Sequence, residues 1–345
     1  MKAAVCRRYG PPEAVTIETL PEPQPGPGEV LVAVQAAGLT AGDARIRGAR
    51  APSGMGPMIR LAFGLTGPRR PVLGREYAGR VAGLGAGVTR FAVGDAVFGI
   101  SDGMRMGAHA AYLVVRESGL ILPLPDSLAV PKAAGFFFGG LTAADFLIDQ
   151  CALQPGERVL IVGATGAVGS AAVQIARHLG AHVTALASGA NMPLARDLGA
   201  DEVLDYRTDL ASGPFDVILD VPGVLPNALP RLAPGGRLGL VTADMRQMVG
   251  VMLRPRRAQG RRICAGVVKE TPQSMARLLD LHQAGGYQPL IGDTIPFAEI
   301  TRAHALADSG HKRGNLVIEM ESSRSSSMPL GPGSESSLVQ PETSR

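Results

Sequence analysis

VLIVGATGAVGSAAVQIA, residues Val159–Ala176, decides the fold. Arg158–Gly163 is a continuous apolar run, the composition of a strand buried on both faces. The period then changes. AVGSAAVQIARHLGA reads as a helix that opens on small residues and stops at Gly180. Between the two lies Ala164-x-Gly166-x-x-Gly169, preceded by Gly163, a variant of the Gly-x-Gly-x-x-Gly dinucleotide fingerprint. Such a fingerprint is weak alone, but a strand before it and a helix after it supply the required context. Gly166 lets backbone approach a pyrophosphate, and Gly169 lets the helix pack on the strand. The free N–H groups and positive end of the helix favour phosphates. Gly163, Ala164, Thr165, Gly166, Ala167, Val168 and Gly169 are therefore expected dinucleotide contacts. The competing reading is a tight turn without a ligand.

The pattern continues outward. His182–Ala187 reads as the next strand and PLARDLGA as the next helix, stopped by Gly199. Glu202–Tyr206, Asp216–Val221, Gly236–Val241 and Ile263–Val268 are further buried-strand candidates. Buried strands alternating with helices predict an α/β fold with a doubly wound parallel sheet. Residues 1–125 read differently. Val30–Gly38, Tyr77–Val88, Asp95–Ile100 and Ala110–Val115 are short strands, with Pro and Gly in every gap, which predicts a β-rich domain. Asp126 to about Ala144 shifts toward helix. Ser274–Ala284 and Ile300–Ala307 read as helices, Asn315–Met320 as a strand, and the stretch from Ser322 as a disordered tail.

An acid at the end of the second strand of such a fold would hold ribose hydroxyls and repel a 2′-phosphate. Here the segment is Ala187-Ser188-Gly189-Ala190-Asn191, and no acid follows before Asp197. That permits NADP. No Lys or Arg sits in this loop either. Ser188, Asn191, Tyr206, Lys312 and Arg313 are the candidates to meet the phosphate, each also readable as a surface polar residue.

Composition excludes several classes. A 46% hydrophobic chain of 345 residues is not disordered throughout. The net charge of +4 is mild, and Trp is absent beside five Tyr and nine Phe, so platforms for stacking single-stranded nucleic acid are few. Arg254, Arg256, Arg257, Arg261 and Arg262 form a basic run without aromatics. It reads as a solvated loop, with an anionic partner such as RNA as the alternative. Cys6, Cys151 and Cys264 are odd in number and far apart, so no disulfide framework is expected and a cytoplasmic setting fits. Arg7 and Arg8 interrupt any signal-peptide core. No run of about 18 uncharged apolar residues predicts a membrane span.

Four segments carry a family resemblance over about residues 1–320: MKAAVCRRYGPPEAVTIETLPEPQPGPGEVLVAVQAAGL, PVLGREYAGRVAGLGAGVTRFAVGDAVFG, GLTAADFLIDQCALQPGERVLIVGATGAVGSAAVQIARHLGA and GHKRGNLVIEM. Together they resemble the medium-chain dehydrogenase/reductase superfamily, in its zinc-free quinone oxidoreductase-like branch. The resemblance implies a GroES-like substrate domain built from residues 1–125 and 269–321. It implies a Rossmann domain over 126–268 and leaves 322–345 as the tail. It also implies a nicotinamide cofactor and a homodimer. By the same resemblance Thr142, the Gly166–Gly169 turn, Ser188, Tyr206 and Asn315 are cofactor contacts. Val221–Gly223 and Val241–Ala243, with Val221, Val241 and Thr242, face the nicotinamide.

Zinc-dependent members need a Cys near AAGL, a Gly-His-Glu motif and a Cys-rich lobe. Here Leu39 stands near the first, Gly74-Arg75-Glu76 replaces the second, and the lobe is missing. His109, Cys151 and Glu76 lack zinc-motif spacing, so no metal is expected. Zinc-free relatives often carry Asn-x-x-Asp; this chain has Thr40-Ala41-Gly42-Asp43, with no Tyr before Tyr77. Thr40 is the candidate oxyanion donor and Asp43 its orienting partner. Water or a ribose hydroxyl is left to supply the proton. Tyr77 and Tyr112 read as strand residues with satisfied hydroxyls. The expectation is a zinc-independent NADPH-dependent oxidoreductase, with NADH possible, acting on a quinone or α,β-unsaturated carbonyl. GARAPSGMGPMIRLAFGLTGP, uncharged except at Arg50 and Arg60, favours a small hydrophobic substrate. The rivals are a zinc-type alcohol dehydrogenase and a non-catalytic NADP(H)-binding protein.

Overall fold

The computed structural model describes residues 1–50, 56–103, 105–244, 247–250, 258–310 and 312–321. Arg254, Arg256, Arg257 and the tail from Ser322 lie outside the described residues.

The apolar run at Arg158–Val162 forms β8, at the middle of a six-stranded sheet. Its neighbours are β9 (His182–Ala187) and β11 (Phe215–Asp220). β10 (Glu202–Asp205), β12 (Leu232–Leu240) and β13 (Arg262–Cys264) complete the order β10-β9-β8-β11-β12-β13, with every pair parallel. Reversal of strand order at β8/β11 opens a crevice at the carboxyl ends of the strands, where doubly wound folds hold ligands. The helix α5 (Ala167–His178) leaves β8 through the glycine turn and is buried along most of its length. The last strand is shorter than the expected Ile263–Val268. Arg261 and Arg262 are not simply solvated: they donate to the carbonyls of Leu232 (2.6 Å) and Gln150 (2.7 Å).

The β-rich half is a seven-stranded sheet. β3 (Glu29–Leu39), β4 (Glu76–Leu84), β5 (Ala96–Ile100) and β6 (Tyr112–Arg116) match the expected strands closely. β7 (Ile121–Pro123), β14 (Ile291–Pro296) and β15 (Asn315–Glu319) join them. β15 pairs antiparallel with β3, Leu316 opposite Leu39 and Val317 opposite Gly38, so residues 315–319 extend the sheet begun by the first part of the chain. A hairpin of β1 (Lys2–Cys6) and β2 (Val15–Thr19), absent from the sequence reading, stands beside it.

The expected helical stretch from Asp126 divides into α3 (Val130–Ala134) and α4 (Phe137–Ala144), then a π-helical turn, Asp145–Gln150. α3 packs on β3 and β4. The helix Pro272–Gln283 buries Met275 and Leu278 in the same core as α5, beside Tyr287. This helix packs on α4, and the chain next joins the first sheet at β14. Arg75 and Glu270 form a bidentate ion pair (2.6 and 3.0 Å) across the junction.

One short helix, α1 (Ala41–Arg47), stands at the cleft edge of β3. Its sequence is too short to hold a helix alone. Thr40 caps it, and Arg47, fully buried, pairs at 2.5 Å with Asp308 on the helix Ile300–Ser309. One turn before Asp308, His304 is buried with neither ring nitrogen hydrogen-bonded. Its ring lies 6.1 Å from that of His109. Burial first, then the neighbouring His109, push the His304 pKa far down, against the pull of Asp43. The folded state therefore keeps this ring neutral while the unfolded chain can protonate it. Its contribution is fully present above the unfolded value near 6.5 and is lost on acidification, by about 1.4 kcal/mol per pH unit. Urea unfolding at about pH 7 and about pH 5 should show a steeper acid loss in the native protein than in His304→Gln; equal losses would contradict this assignment.

Candidate functional site

The glycine turn is built for close approach from one side and close packing on the other. Gly166 caps α5 in extended conformation with no side-chain cap, so the first N–H groups of the helix lack an intrahelical partner. A Cβ at Gly166 would meet nothing nearer than the Gly163 oxygen at 3.6 Å; that face is open. A Cβ at Gly169 would lie 2.1 Å from the Gly163 oxygen and 2.8 Å from the Ala164 Cα, inside the turn itself. Gly163 has φ +76°. From the other half of the molecule, the Gly314 N–H donates to the Thr165 carbonyl (2.8 Å), and Gly166 and Gly314 form an isolated parallel bridge. The segment before β15 thus lies directly on the turn.

That segment carries Lys312 and Arg313. The Arg313 Nε donates to Asn191 Oδ1 (2.6 Å), in the loop after β9. Tyr206 joins the same place, its N–H on the Ala187 carbonyl (3.1 Å) and its ring partly exposed. Ser188, Asn191, Tyr206 and Arg313, scattered in sequence, are brought together at the end of the second strand. An acid comes with them that the loop sequence does not show. Asp205, at the end of β10, lies so near Gly189 that a Cβ there would meet its Oδ2 at 2.7 Å. Its Oδ1 accepts the Arg207 N–H (3.0 Å). Lys312 Nζ donates to the Gly314 carbonyl (3.0 Å); burial lowers its pKa to about 8, opposed by the charge of Glu76.

At the opposite end of the crevice, Val221 and Val241 follow β11 and β12. Sequence reasoning missed Asp220, which shapes this rim: its carboxylate accepts the N–H groups of Gly223 (2.9 Å), Val224 (3.3 Å) and Leu225 (2.8 Å). An Asp before Val-Pro-Gly is the signal that would have found it. It also missed Arg45, whose guanidinium reaches from α1 across the crevice to the Thr242 hydroxyl (3.4 Å). Thr142 is buried on α4 and donates its hydroxyl to the Phe138 carbonyl (2.6 Å). The Asn315 carboxamide donates to the Leu290 carbonyl (3.1 Å). Both polar groups thus have a partner within the fold.

Thr40 and Asp43 are the two halves of a capping box. Asp43 Oδ2 accepts the Thr40 N–H (2.8 Å) and hydroxyl (2.7 Å), and its Oδ1 accepts the Gly74 N–H (3.1 Å). In this geometry the Thr40 proton is already donated. Tyr77 is buried on β4, but its hydroxyl has no partner, contrary to the expectation.

The donor set weighed for zinc does not fit a metal. Leu39 is apolar. His109 lies in the bend before β6 but is fully buried, its Nε2 3.0 Å from the Gly38 carbonyl oxygen. Glu76 Oε1 accepts the N–H groups of Phe137 (2.7 Å) and Phe138 (2.8 Å) at the start of α4. Burial raises its pKa to about 7 despite those bonds. Cys151 faces Cys264 in the other sheet. No group of three or more His, Cys, Asp or Glu placed to hold a metal occurs among the described residues.

Comparison with known proteins places these features. Residues 26–126 match the alcohol dehydrogenase GroES-like domain family, and residues 198–318 the zinc-binding dehydrogenase family. The chain is 31% identical over 327 residues to a mitochondrial NAD(P)H oxidoreductase of Homo sapiens, covering 85% of this chain and 82% of that protein. It is 27% identical to a chloroplastic quinone oxidoreductase of Triphysaria versicolor, covering 87% and 92%. It is also 34% identical to the spectinabilin polyketide synthase system protein NorB of Streptomyces orinoci, but spans 13% of that much longer protein. Among solved structures, it is similar to the quinone oxidoreductase of Coxiella burnetii (TM-score 0.81, 25% identity, 93% and 99% covered). It is similar to the CurK enoyl reductase (TM-score 0.80, 25% identity, 93% and 99% covered). A mycobacterial protein solved with NADPH matches at TM-score 0.74 and 25% identity, with 92% and 99% covered. No helix among the described residues is long and apolar enough to cross a membrane.

The two glycines should separate by measurement. Gly166→Ala should keep the native thermal midpoint and weaken nicotinamide dinucleotide binding about tenfold or more. Gly169→Ala should lower the midpoint as well, because its Cβ collides with the turn. Unaltered dinucleotide affinity in Gly166→Ala would remove the pyrophosphate from this face.

Proposed function

As the chain belongs to the medium-chain dehydrogenase/reductase superfamily, in its quinone-oxidoreductase-like branch, we propose that it is an NADPH-dependent, zinc-independent reductase of quinones or α,β-unsaturated carbonyls. A nicotinamide cofactor follows from the oxidoreductase family. NADPH is proposed from one observation: Arg313 stands at the end of the second strand, paired to Asn191. A guanidinium there suits a 2′-phosphate, which it can grip with two N–H groups. The open face at Gly166 and the uncapped start of α5 suit the pyrophosphate. Asp205 favours the second reading, NADH, because a carboxylate repels a 2′-phosphate.

A bound nicotinamide would supply the hydride. The chain's part is to orient the acceptor and stabilise negative charge as it reaches the carbonyl oxygen. Arg45 is the cation that spans the crevice, and we assign it to that charge. Thr40 is a second donor once its hydroxyl turns from Asp43 to the substrate. Zinc independence is proposed from the donor set: Glu76 and His109 are held by backbone groups, and Leu39 can ligate nothing. The apolar side chains of Met58, Leu61 and Leu65, all well exposed, support a small hydrophobic substrate. A homodimer belongs to the same reading; β13 leaves its outer edge unpaired among the described residues.

Fluorescence titration with NADPH and NADH tests the cofactor. The native protein should bind NADPH more tightly. Arg313→Ala should weaken NADPH by about tenfold and leave NADH unchanged. Equal losses for both nucleotides, or a native preference for NADH, would overturn the assignment in favour of Asp205. With a quinone or enone present, Thr40→Val should lower kcat by about a hundredfold at unchanged NADPH affinity; an unchanged kcat would leave Thr40 as a helix cap alone.

A further inference from the structure

Two of the three cysteines, distant in sequence, meet in the fold. Cys151 follows the π-helical turn, its N–H on the Phe146 carbonyl (2.8 Å), and is fully buried. Cys264 ends the edge strand β13, opposite Gly239 on β12. A Cβ at Gly239 would lie 3.3 Å from the Cys151 sulfur, so Cys151 reaches over β12 toward Cys264. The two side chains therefore come together over Gly239, from either side of β12. The Cys264 sulfur also lies 3.3 Å from the carbonyl of Gln150, the residue before Cys151. Two arginines fix this corner: Arg237 Nε donates to the Cys151 carbonyl (2.7 Å) and Arg262 to that of Gln150 (2.7 Å).

The pair is asymmetric. The Cys151 side chain pulls the Cys264 pKa down, and the charges of Arg262 and Arg237 add to it. The same contact, with burial, pushes the Cys151 pKa up. Packing alone asks only for two small apolar groups here. A sulfur held toward thiolate against a second that keeps its proton is the arrangement of a nucleophile and its resolving thiol. Cys264 stands on the edge strand β13 and keeps 8% exposure, where Cys151 has none.

We propose that Cys151 and Cys264 are a redox-active pair that closes to an intramolecular disulfide on exposure to hydrogen peroxide. The Cys264 thiolate attacks one peroxide oxygen and the O–O bond breaks. The departing hydroxide takes a proton and leaves as water, and Cys264 becomes a sulfenic acid. The Cys151 sulfur attacks that sulfur, the S–O bond breaks, and the Cys151 proton leaves with the hydroxyl as a second water. Two thiols are oxidised and one peroxide is reduced to two waters. The bond would tie the turn that follows α4 to the edge of the cofactor-binding sheet. The proposal does not depend on the substrate or cofactor assigned above.

The full-length reduced protein, treated with a few equivalents of hydrogen peroxide, alkylated and digested with trypsin without reductant, tests it. The expected product joins peptide Ala133–Arg158 to peptide Ile263–Lys269 by a disulfide that dithiothreitol reverses. Cys6, in the core of the other sheet, should stay alkylated and serve as internal control. In Cys151→Ser the same dose should carry Cys264 on to sulfinic acid. Three outcomes in the native protein would overturn the proposal: Cys264 over-oxidised with Cys151 still alkylated, links only between molecules, or both thiols untouched at the dose that oxidises free glutathione.

Discussion

The hydrogen bond from the Gly314 N–H to the Thr165 carbonyl, 2.8 Å long, is the constraint on which the site depends. It joins the segment before β15 to the glycine turn of the parallel sheet. Because β15 is also zipped to β3, the bond fixes one half of the molecule against the other at the mouth of the crevice. It delivers Arg313 to the loop after β9 and Lys312 to the cleft. The turn itself needs glycine for two different reasons. Gly169 is demanded by the protein's own backbone, whereas Gly166 faces open space.

The charges of the cleft follow from this closure. Arg313 and Asp205 meet the same loop with opposite sign. Lys312 and Glu76 are both partly stripped of water, which brings their pKa values toward neutrality from opposite sides, to about 8 and about 7. Arg45 crosses from α1 to Thr242. The helix that carries it is tied by the Arg47–Asp308 ion pair to the helix Ile300–Ser309, so that contact helps set where this cation stands.

Much of the fold is legible in sequence because it rests on local signals. Strand, glycine turn and helix at Arg158–Gly180 are written in a change of hydrophobic period, and β3 to β6 in β-branched runs between Pro and Gly. What is not legible depends on contacts made across the chain. α1 needs Asp308, more than half the chain away. The helix Pro272–Gln283 packs on α4 through Leu278, which no local pattern announces. For the site, Asn191 and Arg313 are each nameable from sequence, but only the Gly314 clamp makes them neighbours. Asp205 belongs to a different strand from the loop it faces. Thr40 and Asp43 are legible as a motif, yet the motif reads equally as Asn-x-x-Asp chemistry and as a capping box, and the observed hydrogen bonds are those of the cap.

The central claim is that this crevice passes a hydride from a nicotinamide to a polarised acceptor without metal. Transfer of label from NADPH deuterated at C4, with chelator-treated protein and a small enone, tests it most directly. The account predicts deuterium at the β-carbon of the product and a primary isotope effect on turnover. Tight NADPH binding with no label in any enone or quinone product, or turnover only after zinc is added, would contradict it.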